Sequence, residues 1–316
     1  MRGGEDLLEP LAAVSLPIPA RPFLKWAGGK GQLLDIFEKF YPVQLRKGHI
    51  KKYIEPFVGS GAVLFNVLQN YKIESAYIFD INEDLINTYI VIRDNVRSLV
   101  DELSKLEQGF LKLNEEDRKE FYYQVRNVYN SYDARNNDLN IKRAAQFIFL
   151  NRTCYNGLYR VNRLGLFNVP FGNYKNPTIC DEKNLCAASM LLQKVHIFVG
   201  DYTESARYID KDTFAYFDPP YRPLSITSNF TSYSKYDFTD EQQIQLAHFF
   251  EEMNERSAFL MLSNSDPKNV DCNDNFFDKL YENFHIHRVR ARRMINSKSE
   301  GRGFVNEILV TNYAVM

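Results

Sequence analysis

The chain predicts an α/β fold: an open, mostly parallel sheet whose sequence is interrupted by a helical insertion. Three observations carry this. A strand, a glycine turn, a helix and a second strand follow one another from Lys52 to Asp80. Short apolar runs recur at Val195–Val199, Phe214–Phe217 and Ala258–Leu262, each closed by a polar residue. Between these two regions the period changes to that of long amphipathic helices.

The elements follow in order. Lys52 to Phe57 is a strand that ends near Gly59-Ser60-Gly61, and AVLFNVLQN after it has helical spacing. Ala76 to Phe79 is a buried strand stopped by Asp80. Beyond Asn82, a plausible N-cap, Leu85, Tyr89, Ile92, Val96, Leu99, Leu103 and Leu106 lie three or four apart, which predicts one long helix. A second helix is expected from Asp117 to Tyr132 with Phe121, Val125, Val128 and Tyr132 on one face, and a third over Ile141–Leu150. Asn151 to Pro177 is rich in Asn, Gly, Arg, Tyr and Pro and reads as a long loop or hairpin of functional character. A helix over Asp240–Asn254 and strands at Phe284–Ala291 and Asn306–Tyr313 complete the pattern.

Three units are expected: a loosely ordered extension over 1–20, a sheet domain from 21–82 and 190–316, and a helix-and-hairpin insert over 83–189. Ligands of open α/β sheets gather at the carboxyl ends of the strands. Phe57, Asp80, Asp201, Asp218 and Asn264 all fall there.

Composition narrows the function. The chain has 316 residues, 45% hydrophobic and 25% charged, with a formal net charge of −1, matching an ordinary globular protein. The neutral sum does not advertise a polyanion partner, but distribution matters more. From Leu139 to Cys180 the charges are Lys142, Arg143, Arg152, Arg160, Arg163 and Lys175, without an acid. Arg288, Arg290, Arg292, Arg293, Lys298 and Arg302 are offset only by Glu300. Each stretch alone reads as a solvated face; two near candidate motifs favour nucleic acid. The 20 Tyr and 24 Phe fit an aromatic core, or stacking platforms for bases. The four cysteines form no CxxC pair and no secretory signal precedes them, so reduced thiols and a cytoplasmic setting are expected. The five histidines make no metal motif, and no apolar run is long enough to span a membrane.

Three motifs carry chemistry. In Glu55-Pro-Phe-Val-Gly-Ser-Gly61 the glycines let the backbone turn sharply and approach a ligand. A plain tight turn reads equally well until Asp80 is added, a carboxylate about 20 residues on at the next strand end, where ribose hydroxyls would be accepted. Leu64 stands where a dinucleotide fingerprint needs its third glycine, so a nucleoside without phosphates fits better than NAD. In Phe217-Asp218-Pro219-Pro220-Tyr221 the prolines fix φ and remove two N–H groups. The Asp218 carboxylate and Pro219 carbonyl are then expected to act as two acceptors with no competing donor nearby, suited to an amine, with Tyr221 as a stacking face. Phe23-Leu-Lys-Trp-Ala-Gly-Gly-Lys30 fails as a P-loop because Leu24 and Gly31 occupy its required positions. Its Trp, the only one in the chain, serves equally well as core or ligand contact.

In this order the motifs, with RPLSITSNF after DPPY, resemble the Dam family of DNA adenine-N6 methyltransferases from Arg21 to Tyr313. The resemblance implies a Rossmann-like class I S-adenosylmethionine-dependent methyltransferase sheet with an inserted, mainly helical DNA-recognition domain. It implies that Trp26, Ala27, Gly28 and Lys30 contact S-adenosylmethionine, which leaves as S-adenosylhomocysteine. Pro56, Phe57, Gly59, Ser60 and Gly61 would wrap its methionine part, with Asp80 at the ribose and Asp201 near the adenine ring. Asp218, Pro219, Pro220 and Tyr221 would form the catalytic mouth, with Asp218 also bordering the cofactor. The insert resembles the family's recognition loop and hairpin. Arg152, Tyr155, Asn156, Leu158, Arg160, Asn162, Pro170 and Tyr174 would contact double-stranded DNA: Tyr155 and Asn156 near a flipped adenine, and Arg160, Pro170 and Tyr174 at base edges. The implied site is GATC. Leu166 replaces a charged residue found in some relatives, so readout of the outer bases departs from the pattern. Alternatives are an N4-cytosine methyltransferase or a catalytically silent DNA-binding relative. No metal and no obligatory protein partner are implied; whether a cognate restriction endonuclease shares the system is left open.

Overall fold

The computed structural model describes residues 18–26, 28–131, 141–222, 238–292 and 304–315. Expectations on Ala27, Tyr132, the basic residues Arg293, Lys298 and Arg302, most of RPLSITSNF and nearly all of the N-terminal extension lie outside them.

Seven strands form one sheet: β1 (Lys52–Glu55), β2 (Ser75–Asp80), β3 (Val195–Val199), β4 (Thr213–Phe217), β5 (Phe259–Ser265), β6 (His285–Arg292) and β7 (Phe304–Thr311), in the order β3-β2-β1-β4-β5-β7-β6. The first five are parallel, and β7 enters antiparallel between β5 and β6. The order reverses beside β1, so β1 and β4 separate at their carboxyl ends and open a crevice there. This is the Rossmann-like arrangement of class I methyltransferases. β4 is buried along its whole length, as expected of a central parallel strand.

The helices are α1 (Leu34–Phe37), α2 (Val43–Arg46), α3 (Ala62–Asn70), α4 (Glu83–Leu111), α5 (Glu115–Ser131), α6 (Ile141–Thr153), α7 (Glu182–Leu192), α8 (Asp240–Glu255) and α9 (Phe276–Leu280). Asn82 caps α4 as anticipated, its Oδ1 accepting from Leu85 N at 3.0 Å. α4 departs from helical geometry at Asn95. Its start lies against β2 and β3, and its length packs on α6 and α7.

Three expectations change. In α5 the buried face is Tyr122, Val125 and Tyr129, while Val128 is 53% exposed. Tyr122 and Tyr129 both reach polar partners inside, the Val169 carbonyl and the Asp84 carboxylate, so they outcompete the simpler apolar stripe. β5 runs on through Ser263–Ser265, pairing with β7 over all three residues. Asn264 therefore lies inside a strand rather than past its end. Two expected surface cations turn inward: Arg143 pairs with Asp84, and Arg288 bridges Asp266 and Asp278.

The core falls into two clusters on the two sheet faces. One joins β1 and β2 to α3, α4, α5, α6 and α7; the other packs α8 and α9 on β4, β5 and β7. No described helix is long and apolar enough to cross a membrane. All four cysteines are free. Burial pushes the Cys154 thiol up to about 12, which makes it an inert core residue.

Candidate active site

The glycine turn after β1 is built by positive backbone angles. Gly59 and Gly61 have φ of +47° and +71°, and Gly61 is the N-cap of α3. A Cβ on Gly61 would stand 2.5 Å from the Tyr89 hydroxyl, and one on Gly59 would meet the Trp26 ring at 3.0 Å. Side chains are thus excluded from this cradle. From α4, Tyr89 donates its hydroxyl to the Gly59 carbonyl at 3.0 Å. Asp80, at the end of β2, accepts from Gly59 N at 3.2 Å and from Asn82 N at 2.9 Å. Burial raises Asp80 to about 6, with those backbone donors opposing the shift.

Trp26 stacks on Tyr159 from the hairpin region, centroids 5.6 Å apart and planes at 15°. Asn151 at the end of α6 clamps the preceding residue at both ends, accepting from Lys25 N and donating to Lys25 O, each at 2.8 Å. The FLKWAGGK motif is therefore held to the insert by packing and by a two-point hydrogen bond. Phe57 lies against Tyr202 and Phe238. Asp201 is exposed and caps the following 3-10 turn through Thr203 N.

Asp218 directly follows β4 and is not free of donors, contrary to the sequence expectation. Lys30 Nζ lies 2.8 Å from Asp218 Oδ2, and Ser263 Oγ donates to Asp218 Oδ1 at 2.9 Å. The reason is tertiary: Lys30 descends from the N-terminal motif, and Ser263 reaches across from β5. Lys30 also donates to the Gly28 carbonyl at 2.7 Å and sits 4.7 Å above the Tyr221 ring. It is only 3% exposed. Lys30, expected at the cofactor, thus engages Asp218 and Tyr221 directly. Burial raises the Asp218 carboxyl, and Lys30 and Ser263 counter it. Each carboxylate oxygen has two lone pairs, so room for further donors remains.

The two prolines differ. Gln243 of α8 donates to the Pro220 carbonyl at 3.0 Å, held in turn by Asn264. Among the described residues, the Pro219 carbonyl receives no hydrogen bond. Arg222, next after Tyr221, grips Asp240 through two bonds of 2.7 and 2.9 Å and Asp274 through one of 2.6 Å, its guanidinium on the Phe276 ring. The motif is braced from both sides.

Two further acids, one buried and one partly buried and neither given a role by the motifs, adjoin this centre. Glu55, fully buried, accepts from the Tyr53 hydroxyl at 2.7 Å, and burial raises it well above the usual range. Glu307 on β7 is likewise raised by burial, with Lys30 opposing and Asp218 adding to the shift. An acid in an apolar strand was the available signal for each.

The hairpin residues surround Tyr155–Gly157, a 3-10 turn with Asn156 at φ +58°. Bridges Cys154–Phe171 and Val161–Phe167 hold the two arms together. Tyr155 and Asn156 are exposed, as are Arg160 and Pro170. Arg160 Nε is steadied by Asn168 at 2.8 Å. Asn162 builds the hairpin turn, accepting from Leu164 N and Leu166 N. Leu158 packs on the core, Arg152 donates to the Phe23 carbonyl at 2.8 Å, and Tyr174 carries Lys25 Nζ 4.5 Å above its ring.

Residues 26–295 match the D12 class N6 adenine-specific DNA methyltransferase family. The chain belongs to this family. Among its relatives, the Type II methyltransferase M.MjaIII of Methanocaldococcus jannaschii is 55% identical, over 93% of this chain and 99% of that protein. The Type II methyltransferase M1.LlaDCHI of Lactococcus lactis subsp. cremoris is 37% identical, over 94% and 96%. The DNA adenine methylase of Escherichia coli K12 is 37% identical, over 92% and 94%. Of the readings open at the sequence level, the family matched is the adenine-N6 class. In this methyltransferase Lys30, from the N-terminal motif, stands against the acid and the tyrosine of the DPPY motif.

Proposed function

We propose that this adenine-specific DNA methyltransferase takes its methyl group from S-adenosylmethionine and acts on a flipped adenine within GATC. The observation that carries the reading is the carboxyl end of β4, where Asp218 and the Pro219 carbonyl offer oxygen acceptors beside the glycine cradle of β1.

The residues present fit a nucleoside cofactor. Gly59 and Gly61 keep the cradle clear, Asp80 offers a carboxylate at the strand end, and Trp26 gives an apolar wall. Gly28, Pro56, Phe57 and Ser60 border the same turn, with Lys30 behind it and Asp201 at the next strand end. S-adenosylmethionine would supply an electrophilic methyl group there. Asp218 and Pro219 accept the N–H groups of the target amine, which draws the nitrogen towards tetrahedral geometry and frees its lone pair. Lys30 holds Asp218 in the ionised, accepting form, and Tyr221 offers a ring to the base. Prearranged acceptors of this kind act by orientation and by electrostatics already in place.

Residues 83–189 form the DNA-reading unit in this proposal, and 21–82 with 190–316 the catalytic unit. Extruding a base costs a few kcal/mol, recovered from pocket contacts. Exposed Tyr155 and Asn156 stand on the short turn after α6, available to fill the vacated space, and exposed Arg160 offers its guanidinium to read guanine. The two Type II relatives support pairing with a cognate restriction endonuclease.

The test is transfer of labelled methyl groups to duplexes that differ at each base of GATC. Transfer confined to GATC duplexes, lost with Asp218→Ala while cofactor still binds, is expected. Equal transfer to every duplex would remove the sequence assignment, and turnover by Asp218→Ala would remove the catalytic one.

A further inference from the structure

Tyr221 is built with its two ends in different surroundings. The residue as a whole is partly exposed, yet its hydroxyl is sealed from solvent and completes no hydrogen bond. The Glu307 carboxyl faces that hydroxyl, close enough for each to act on the other's ionisation. Its Oε2 is equally sealed and equally without a partner. A third unpartnered atom, Ser265 Oγ, belongs to the residue directly opposite Glu307 in the β5–β7 pair, so both side chains emerge on one face.

Glu307 is out of place by pattern. Its same-face neighbours on β7, Val305 and Leu309, pack into the apolar cluster under the N-terminal motif. Alternation would put an apolar residue at 307 as well. A carboxylate kept there without a completed bond costs folding energy, and a strand with that pattern folds as readily with Val or Leu. Lys30 lies near enough to Glu307 to favour its charge, and Asp218 near enough to oppose it. Lys30, Asp218, Tyr221 and Glu307 therefore form one partly buried group, with Glu307 at the side of the ring away from the peptide backbone of the motif.

We propose that Glu307 is a positioning residue of methyl transfer: its carboxylate takes the Tyr221 hydroxyl and thereby fixes the ring plane against which the target base rests. The inference rests on the adenine-methylation reading. Glu307 touches neither base nor cofactor in this scheme, and it acts through Tyr221. Asp218 and Pro219 set the position of the amine; Glu307 sets that of the surface behind it. An amide oxygen at the same place would still accept from the hydroxyl, whereas an aliphatic side chain would not.

The experiment is a double-mutant cycle on the full chain with GATC duplex DNA. Glu307→Met is expected to lower kcat about tenfold, the scale of losing one buried acceptor, with KM for the cofactor within about twofold. Glu307→Gln should restore most of the loss. In a Tyr221→Phe background, Glu307→Met should have no further effect, because the bond is already absent. Additive losses in the cycle, no recovery with Gln, or full activity of Glu307→Met would overturn the proposal. If Glu307→Met does not fold, Glu307→Gln decides by itself: kcat near that of the wild type is expected, and a loss as large as that of Tyr221→Phe overturns the proposal. A wild-type protein that methylates no duplex removes both this inference and the reading beneath it; an active wild type beside an unaffected Glu307→Met removes this inference alone.

Discussion

Buried Lys30 and partly buried Asp218 meet as an ion pair, Nζ to Oδ2 at 2.8 Å, although they come from the first and the third motif of the chain. The pairing changes what each residue is for. Burial alone would favour a neutral Asp218, a poorer acceptor, and Lys30 is the main counterweight. Replacing Lys30 by Met should therefore lower kcat near neutral pH and move the acidic limb of the pH–rate profile upward. Activity should recover in part at alkaline pH, as Asp218 ionises without help. A variant with uniformly low activity and an unmoved limb would show that Lys30 acts elsewhere.

Asp80 predicts a pH dependence of binding. Its carboxyl is raised to about 6 in the folded protein, against about 3.9 for an ordinary aspartate. For an acid with a raised folded value, ionisation opposes folding, so its contribution to stability declines as pH rises between those two values. Ligand hydroxyls donated to the carboxylate favour the ionised form. S-adenosylhomocysteine should accordingly bind more tightly as pH rises through about 6. Calorimetric titration from pH 5 to 8 measures this, and Asp80→Asn should bind weakly with a flat profile. A wild-type affinity independent of pH would contradict the assignment.

Gly61 has both a left-handed backbone and a neighbour in the way. Ala there costs about 1 kcal/mol for its positive φ, and its Cβ would meet the Tyr89 hydroxyl at 2.5 Å. Gly61→Ala should destabilise the fold by roughly 2 kcal/mol or more in urea melts, the usual range for strain plus overpacking. Removing the hydroxyl with Tyr89→Phe should restore part of that. No recovery would mean that the strain lies in the backbone alone.

Arg160 is exposed and pre-aimed by its bond to Asn168. Arg160→Ala should relax discrimination at one position of the DNA site by about 1–3 kcal/mol, while other positions keep theirs. Competition between duplexes with single-base changes reads this out. A uniform loss across all sequences, accompanied by a smaller salt dependence, would assign Arg160 to the phosphate backbone instead.

The β1 turn shows how much was local. Gly59 and Gly61, Asp80 at the end of β2 and the Asn82 cap follow from residues close together in the chain, where φ, strand length and capping chemistry are set. The α5 face departs from its apolar periodicity because Tyr122 and Tyr129 are buried through partners on other elements, which periodicity cannot show. Ser263 and Asn264 have the polar character of a turn, but pairing with β7 keeps them extended and lengthens β5.

What the chain determined by itself is the order of elements, the glycine cradle, the acids at the strand ends and the rigid Pro-Pro turn, since each depends on short-range sterics and hydrogen bonding. Only the tertiary structure decided which donors reach Asp218. Lys30, Ser263 and Glu307 are brought to it by sheet order and by burial, and electrostatic coupling falls off with distance in space, not with separation along the chain.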